Sequence, residues 1–177
     1  MTTTTWKIDT SHSEVMFKVK HLMITTVTGH FRNFDLNVET EGDDFTKASS
    51  VKFTADVNSI DTNSEQRDGH LKSPDFFDAA TNPEISFTGK KFAQSGDDYT
   101  LEGDLTIRGN TQPIKLNVEY GGIVVDPYGQ TKAGFTVSGK LSRKEFGLTW
   151  GAVTEAGQVV VSDEVKIFCE IQVVKQA

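Results

Sequence analysis

The chain has 177 residues, a net charge of −7, twelve phenylalanines and one cysteine. That length suits one domain over 1–177, because two halves would each be small and no Pro-, Gly- or Ser-rich linker marks a seam. The acidic balance argues against nucleic acid and against an anionic membrane surface, since both want clustered Lys and Arg. Here the basic runs are only pairs such as Lys90-Lys91 and Arg143-Lys144. The lone Cys169 excludes an internal disulfide.

The chain opens with Met1, four threonines and Trp6, with no basic stretch leading into an apolar one. As given it shows no secretory leader, which predicts a cytoplasmic protein, or a periplasmic one if a leader has been removed. No run of about 18 consecutive apolar residues occurs, so no transmembrane segment is expected.

The pattern that follows alternates apolar with polar residues. Val15, Phe17 and Val19 face one way against Met16, Lys18 and Lys20, which is the period of a strand with one buried face. The same parity recurs in Phe34, Leu36 and Val38, then in Val51, Phe53, Ala55 and Val57. Further along come Ile85 with Phe87, then Tyr99, Leu101, Leu105 and Ile107. Ile114, Leu116, Val118 and Tyr120 form the next set, followed by Phe135, Val137 and Leu141. Val165, Ile167, Cys169, Ile171 and Val173 end the series. Breaks at Glu41–Asp44, Ser95–Asp98, Arg108–Asn110 and Asp126–Gly129 carry turn chemistry. About eight antiparallel strands give a sandwich or a closed barrel. The recurrence of large rings on inward positions favours an all-β barrel, whose interior admits side chains or one small ligand.

One interruption breaks the pattern. Residues 63–80 mix acids, bases, His70 and the Phe76-Phe77 pair, and predict a short helix lying across one barrel end. Asp61, Thr62 or Ser64 could cap it, and Pro74 interrupts it. Arg67, Asp68, His70 and Lys72 read either as a network tying the helix to the rim or as a polar collar around a cavity mouth.

The sequence offers no machinery for catalysis. His12, His21, His30 and His70 have no metal-ligand spacing, and one cysteine supplies no thiolate cluster. There is no G-x-S-x-G around Ser138, no dinucleotide fingerprint and no phosphate loop. No metal, cofactor or catalytic residue is expected.

At this point the chain resembles the YceI-like family, lipocalin-like barrels associated with polyisoprenoid binding. The matching pieces include Trp6-Lys7-Ile8-Asp9, Val27-Thr28-Gly29-His30-Phe31 and Ser59-Ile60-Asp61-Thr62. Arg67-Asp68-Gly69-His70-Leu71, Ser73 to Asp78, Gly103 to Gly109 and Arg143-Lys144-Glu145-Phe146-Gly147 continue them in order over most of the chain. The resemblance implies a barrel with an apolar tunnel that holds a long-chain isoprenoid, such as a polyprenyl chain or isoprenoid quinone, for storage or transport without chemistry. Many members are exported, whereas this sequence shows no leader.

Tunnel walls are then expected from Phe17, Val19, Phe53, Phe87, Leu105, Ile107 and Phe135, all on the apolar parity of their strands. Phe31, Phe34, Phe76, Phe77, Phe146 and Trp150 are expected near an end of the tunnel. Arg67, Asp68, His70 and Lys72 would form its polar mouth, where a neutral or weakly anionic head suits the few cations present. Two other functions stay open: an enzyme acting on a lipid-like substrate through His21, Arg67, Asp68 or His70, and a stress-response interaction module with an empty barrel. A homodimer is compatible with the sequence.

Overall fold

The computed structural model describes residues 2–151 and 160–177. Its strands are β1 (Thr3–Ile8), β2 (Glu14–His21), β3 (Thr25–Phe31), β4 (Phe34–Glu41), β5 (Asp44–Asp56) and β6 (Ile60–Asp61). After the helix α1 (Glu65–Lys72) come β7 (Glu84–Ser95), β8 (Asp98–Ile107), β9 (Asn110–Val125), β10 (Thr131–Ser142) and β11 (Glu164–Lys175). All pair antiparallel, in the order β1-β4-β5-β7-β8-β9-β10-β11, and β11 returns to β1 to close an eight-stranded barrel. Closure leaves those eight strands without a free edge.

Each period-two segment of the sequence is a strand, yet β2 is not one of the eight that close the ring. β11 is long enough to serve two partners. Its lower part, Val173–Lys175, pairs with β1, and its upper part, Lys166–Glu170, pairs with β2. β1 and β2 thus act as one bent strand, joined by the 3-10 turn Thr10–His12. β3 returns beside β2 and passes through Arg32-Asn33 into β4. β1 and β3 escape the alternation test because threonines fill their outward and early positions.

Glycine decides where rings fit. Gly29 lies opposite Phe17 on the neighbouring strand, and any Cβ there would collide with the Phe17 ring. Gly103 stands against the Thr88 carbonyl and the Phe87 ring in the same way. Covering a strand glycine with a cross-strand ring lets an aromatic lie flat along the barrel wall.

Of the stretch 63–80 predicted as helical, only Glu65–Lys72 forms α1, with Ser64 as its N-cap accepting from the Arg67 N–H at 3.3 Å, and Ser73 onward, through Pro74, runs as turns. Two apolar clusters fill the ends of the barrel. Trp6, Val38, Phe45 and Val173 belong to the one at the β4–β5 hairpin, where Trp6 Nε1 donates to Thr40 Oγ1 at 3.0 Å. Phe31, Phe76, Phe146 and Leu148 belong to the one under the helix.

Candidate ligand-binding site

Between the two clusters the barrel encloses a cavity of about 440 Å³, within the range of ligand sites in proteins. Its wall is almost wholly aliphatic and aromatic, from Val38, Phe45 and Val173 toward the β4–β5 hairpin to Phe31, Phe77 and Leu148 under the helix. Phe17, Phe53 and Phe135 point inward yet are only half-buried, because one face of each ring meets empty space.

The structure gathers most of the expected wall. Phe17, Val19, Phe53, Phe87, Leu105, Ile107 and Phe135 all line this cavity. So do Phe31, Phe76, Phe77 and Trp150 toward the helix end. Phe34 does not. It opens β4 at the fork where β1 gives way to β2, and its ring lines a separate polar depression with His12, His30 and Arg32. Phe146 does not either: it closes the 3-10 turn Arg143–Phe146, is 2 % exposed, and is held by Asn110 Nδ2 donating to its carbonyl at 2.8 Å. It belongs to the solid core behind the wall.

The polar mouth divides by helical period. Arg67, His70 and Leu71 share one face of α1 and reach the cavity, whereas Asp68 and Lys72 lie about 100° and 140° around the axis from Arg67 and do not. Asp68 instead accepts from the Thr62 N–H at 2.9 Å and the Thr62 hydroxyl at 2.5 Å. Arg67 Nε donates to Thr62 Oγ1 at 2.7 Å, and its Nη2 donates to the Thr62 carbonyl. These bonds tie the helix to β6, so Arg67 is a tether as well as a wall residue. His70 Nε2 lies 2.8 Å from Asp75 Oδ2, and the ring meets Phe76 and Trp150 edge-on, each at 5.1 Å. Lys20 and His21 at the end of β2 complete the rim opposite.

A further residue escaped sequence reasoning. Arg143, 3 % exposed, borders the cavity and spends its guanidinium on main-chain carbonyls: Ser162 at 2.9 Å, Leu148 and Trp150 at 2.6 Å, and Val161 at 3.2 Å. It clasps two stretches of the rim. Burial lowers its pKa from the ordinary arginine value, and the nearby Asp163 partly offsets this. Its place in the Arg143-Lys144-Glu145-Phe146-Gly147 stretch that carries the family resemblance was the one sequence signal, and it gave no hint that the guanidinium is buried.

Among the described residues no three His, Cys, Asp or Glu side chains gather as a metal site. Ser11, His12 and Asp9 meet at the surface, but His12 uses Nδ1 toward both Asp9 (2.8 Å) and Ser11 (3.1 Å). A catalytic triad needs the two ring nitrogens to face base and nucleophile separately. Asp9 also binds Lys132 at 3.0 Å. The group therefore reads as a clasp on the junction of β1 and β2.

A profile of the YceI-like domain matches residues 6–173. The chain belongs to the YceI-like family. A UPF0312 protein of Staphylococcus epidermidis is 37% identical over 166 residues, covering 92% of this chain and 93% of its own. Among solved structures, Burkholderia cenocepacia BcnA superposes with a TM-score of 0.79 at 24% identity, over 93% of this chain and 98% of that one. A polyisoprenoid-binding domain from Saccharophagus degradans, implicated in plant cell wall breakdown, gives a TM-score of 0.67 at 16% identity, over 97% and 98%. At those identities both likenesses concern the fold. They agree with the ring of eight strands in making this a closed antiparallel β-barrel, with one short α-helix among the described residues.

Proposed function

We propose that this protein binds a long-chain isoprenoid or comparable amphiphilic lipid in its barrel, for storage or transport and without catalysis. The observation that carries the reading is the apolar cavity of about 440 Å³, with Arg67, His70, Lys20 and His21 among the polar side chains along its lining. A lipid chain burying about 400 Å² there gains about 10 kcal/mol gross at 25 cal/mol per Å². That is of the size needed to offset the ordering of chain and wall. The Saccharophagus degradans domain, described as polyisoprenoid-binding, supports the same cargo class by analogy of fold.

The polar end of the ligand sits at the mouth beside Arg67 and His70. Of the cations on the helix only Arg67 reaches the cavity, with two of its donors already serving Thr62, and Arg143 is spent on main-chain carbonyls, which leaves Lys20 as the further basic side chain on the rim. A diphosphate wants several bidentate cations, so a quinone or free alcohol suits this mouth better. Mass spectrometry of lipid extracted from natively purified protein tests the reading. An unchanged co-purified prenyl lipid is expected. Steady conversion of an added prenyl lipid, lost in His21→Ala or His70→Ala, would replace the carrier with an enzyme. Protein that neither carries nor takes up any prenyl lipid would leave the empty-barrel module.

A further inference from the structure

The β2–β3 hairpin ends in an unusual turn directly above the mouth. Leu22 and Met23 both adopt left-handed backbone, φ 53° and 61°, where asparagine and glycine are at home. The turn is fixed by the Leu22 N–H donating to the Val160 carbonyl at 2.8 Å and the Ile24 N–H donating to the His21 carbonyl at 3.1 Å. It holds Met23 58 % and Ile24 75 % exposed. Folding gains nothing from two large apolar side chains in water on a turn that disfavours them.

A row of lysines lies just below, on the outer face. Lys18 of β2 stands opposite Lys166 of β11, and Lys166 stands opposite Lys140 of β10. All three are exposed, and like charges side by side destabilise a sheet. Among the described residues Lys140 comes within 3.8 Å of Glu164, while no ion pair involves Lys18 or Lys166. Neighbouring strands are about 4.8 Å apart, so the row spans about 10 Å. That is comparable with the Debye length, about 8 Å at physiological salt. The row is a local basic patch, three lysines against the one carboxylate of Glu164, on a chain whose net charge is −7.

We propose that this rim docks on an anionic phospholipid bilayer, with Met23 and Ile24 entering the interfacial layer and Lys18, Lys166 and Lys140 facing the phosphates. The apolar tip and basic row are the two ingredients of interfacial binding, each weak alone and reversible together. Lys20 and His21, which line the cavity mouth, lie between row and tip, so docking turns the mouth toward the bilayer. The inference goes beyond the carrier reading, and the two fail separately.

The experiment is flotation with vesicles of phosphatidylcholine alone or mixed with phosphatidylglycerol, at low salt and at about 0.5 M salt. Binding is expected only to the mixed vesicles, and it is lost in high salt. Lys18→Gln/Lys166→Gln weakens it about thirtyfold, at about fivefold for each charge. Ile24→Asp weakens it roughly tenfold or more. Both variants keep the amount of extractable lipid, because none of these residues lines the cavity, and neither lowers the thermal midpoint, since removing the Lys18–Lys166 repulsion can only relieve the sheet. Absence of vesicle binding, equal binding to neutral vesicles, or full binding by both variants overturns the proposal. So does a concentration-dependent dimer that Ile24→Asp abolishes while vesicles are ignored, since a second copy would then cover the tip. If the wild type carries no lipid yet floats as expected, the docking stands and the carrier reading falls.

Discussion

Two phenylalanines that look alike in sequence should behave differently when truncated. Phe146→Ala empties a site in solid core, 2 % exposed and off the cavity wall, and should lose about 3–5 kcal/mol of stability. Phe53 stands opposite Leu36 on β4 and Phe87 on β7, with its free face on the cavity. About half of the contacts that a core ring makes are therefore missing already, which brings Phe53→Ala to about 1.5–2.5 kcal/mol. Urea unfolding of protein refolded from denaturant measures both, because refolding removes co-purified lipid that would add its own binding free energy. In thermal melts each kcal/mol amounts to about 2–4 °C for a chain of this size. A loss from Phe53→Ala equal to that from Phe146→Ala would refute the reasoning, for it would mean that the barrel is packed solid in solution.

Arg143→Met strips four rim carbonyls of their donor and should cost about 2–5 kcal/mol; a loss below about 1 kcal/mol in urea unfolding would show the clasp to be dispensable. Hydrogen bonds from Ser11, then His12 and Lys132, hold the Asp9 carboxyl well below the usual carboxylate range, against the opposing effect of burial. A depressed folded-state pKa stabilises above the unfolded value of about 3.9 and is lost as pH falls through the folded value. Asp9→Asn should therefore cost about 1–3 kcal/mol at neutral pH and flatten the stability profile on the acid side; parallel profiles for variant and wild type would contradict this. Burial pushes the Cys169 thiol up to about 12. It should resist iodoacetamide at pH 8 in the native protein and react fully in urea, and rapid native labelling would show that water fills the barrel.

Much of this protein was determined by the sequence itself. Alternation placed eight strands because one face of each must be apolar, a local property that needs no knowledge of partners. Turn chemistry placed four hairpins, and the single break in the pattern placed α1 near one barrel end. The inward parity of Phe17, Phe53, Phe87 and Phe135 made them wall residues wherever the strands came to lie. Tertiary structure decided the rest. Only β11, serving β1 below and β2 above, shows why the ring closes through a strand rich in threonine. Only the packing separates Phe53, which faces the cavity, from Phe146, which backs solid core, since both are equally apolar in sequence. The helix register, once its start at Glu65 is known, turns Arg67 and His70 inward and Asp68 and Lys72 away. Arg143 depends entirely on the fold, because its partners are carbonyls, which every residue carries and no sequence pattern distinguishes.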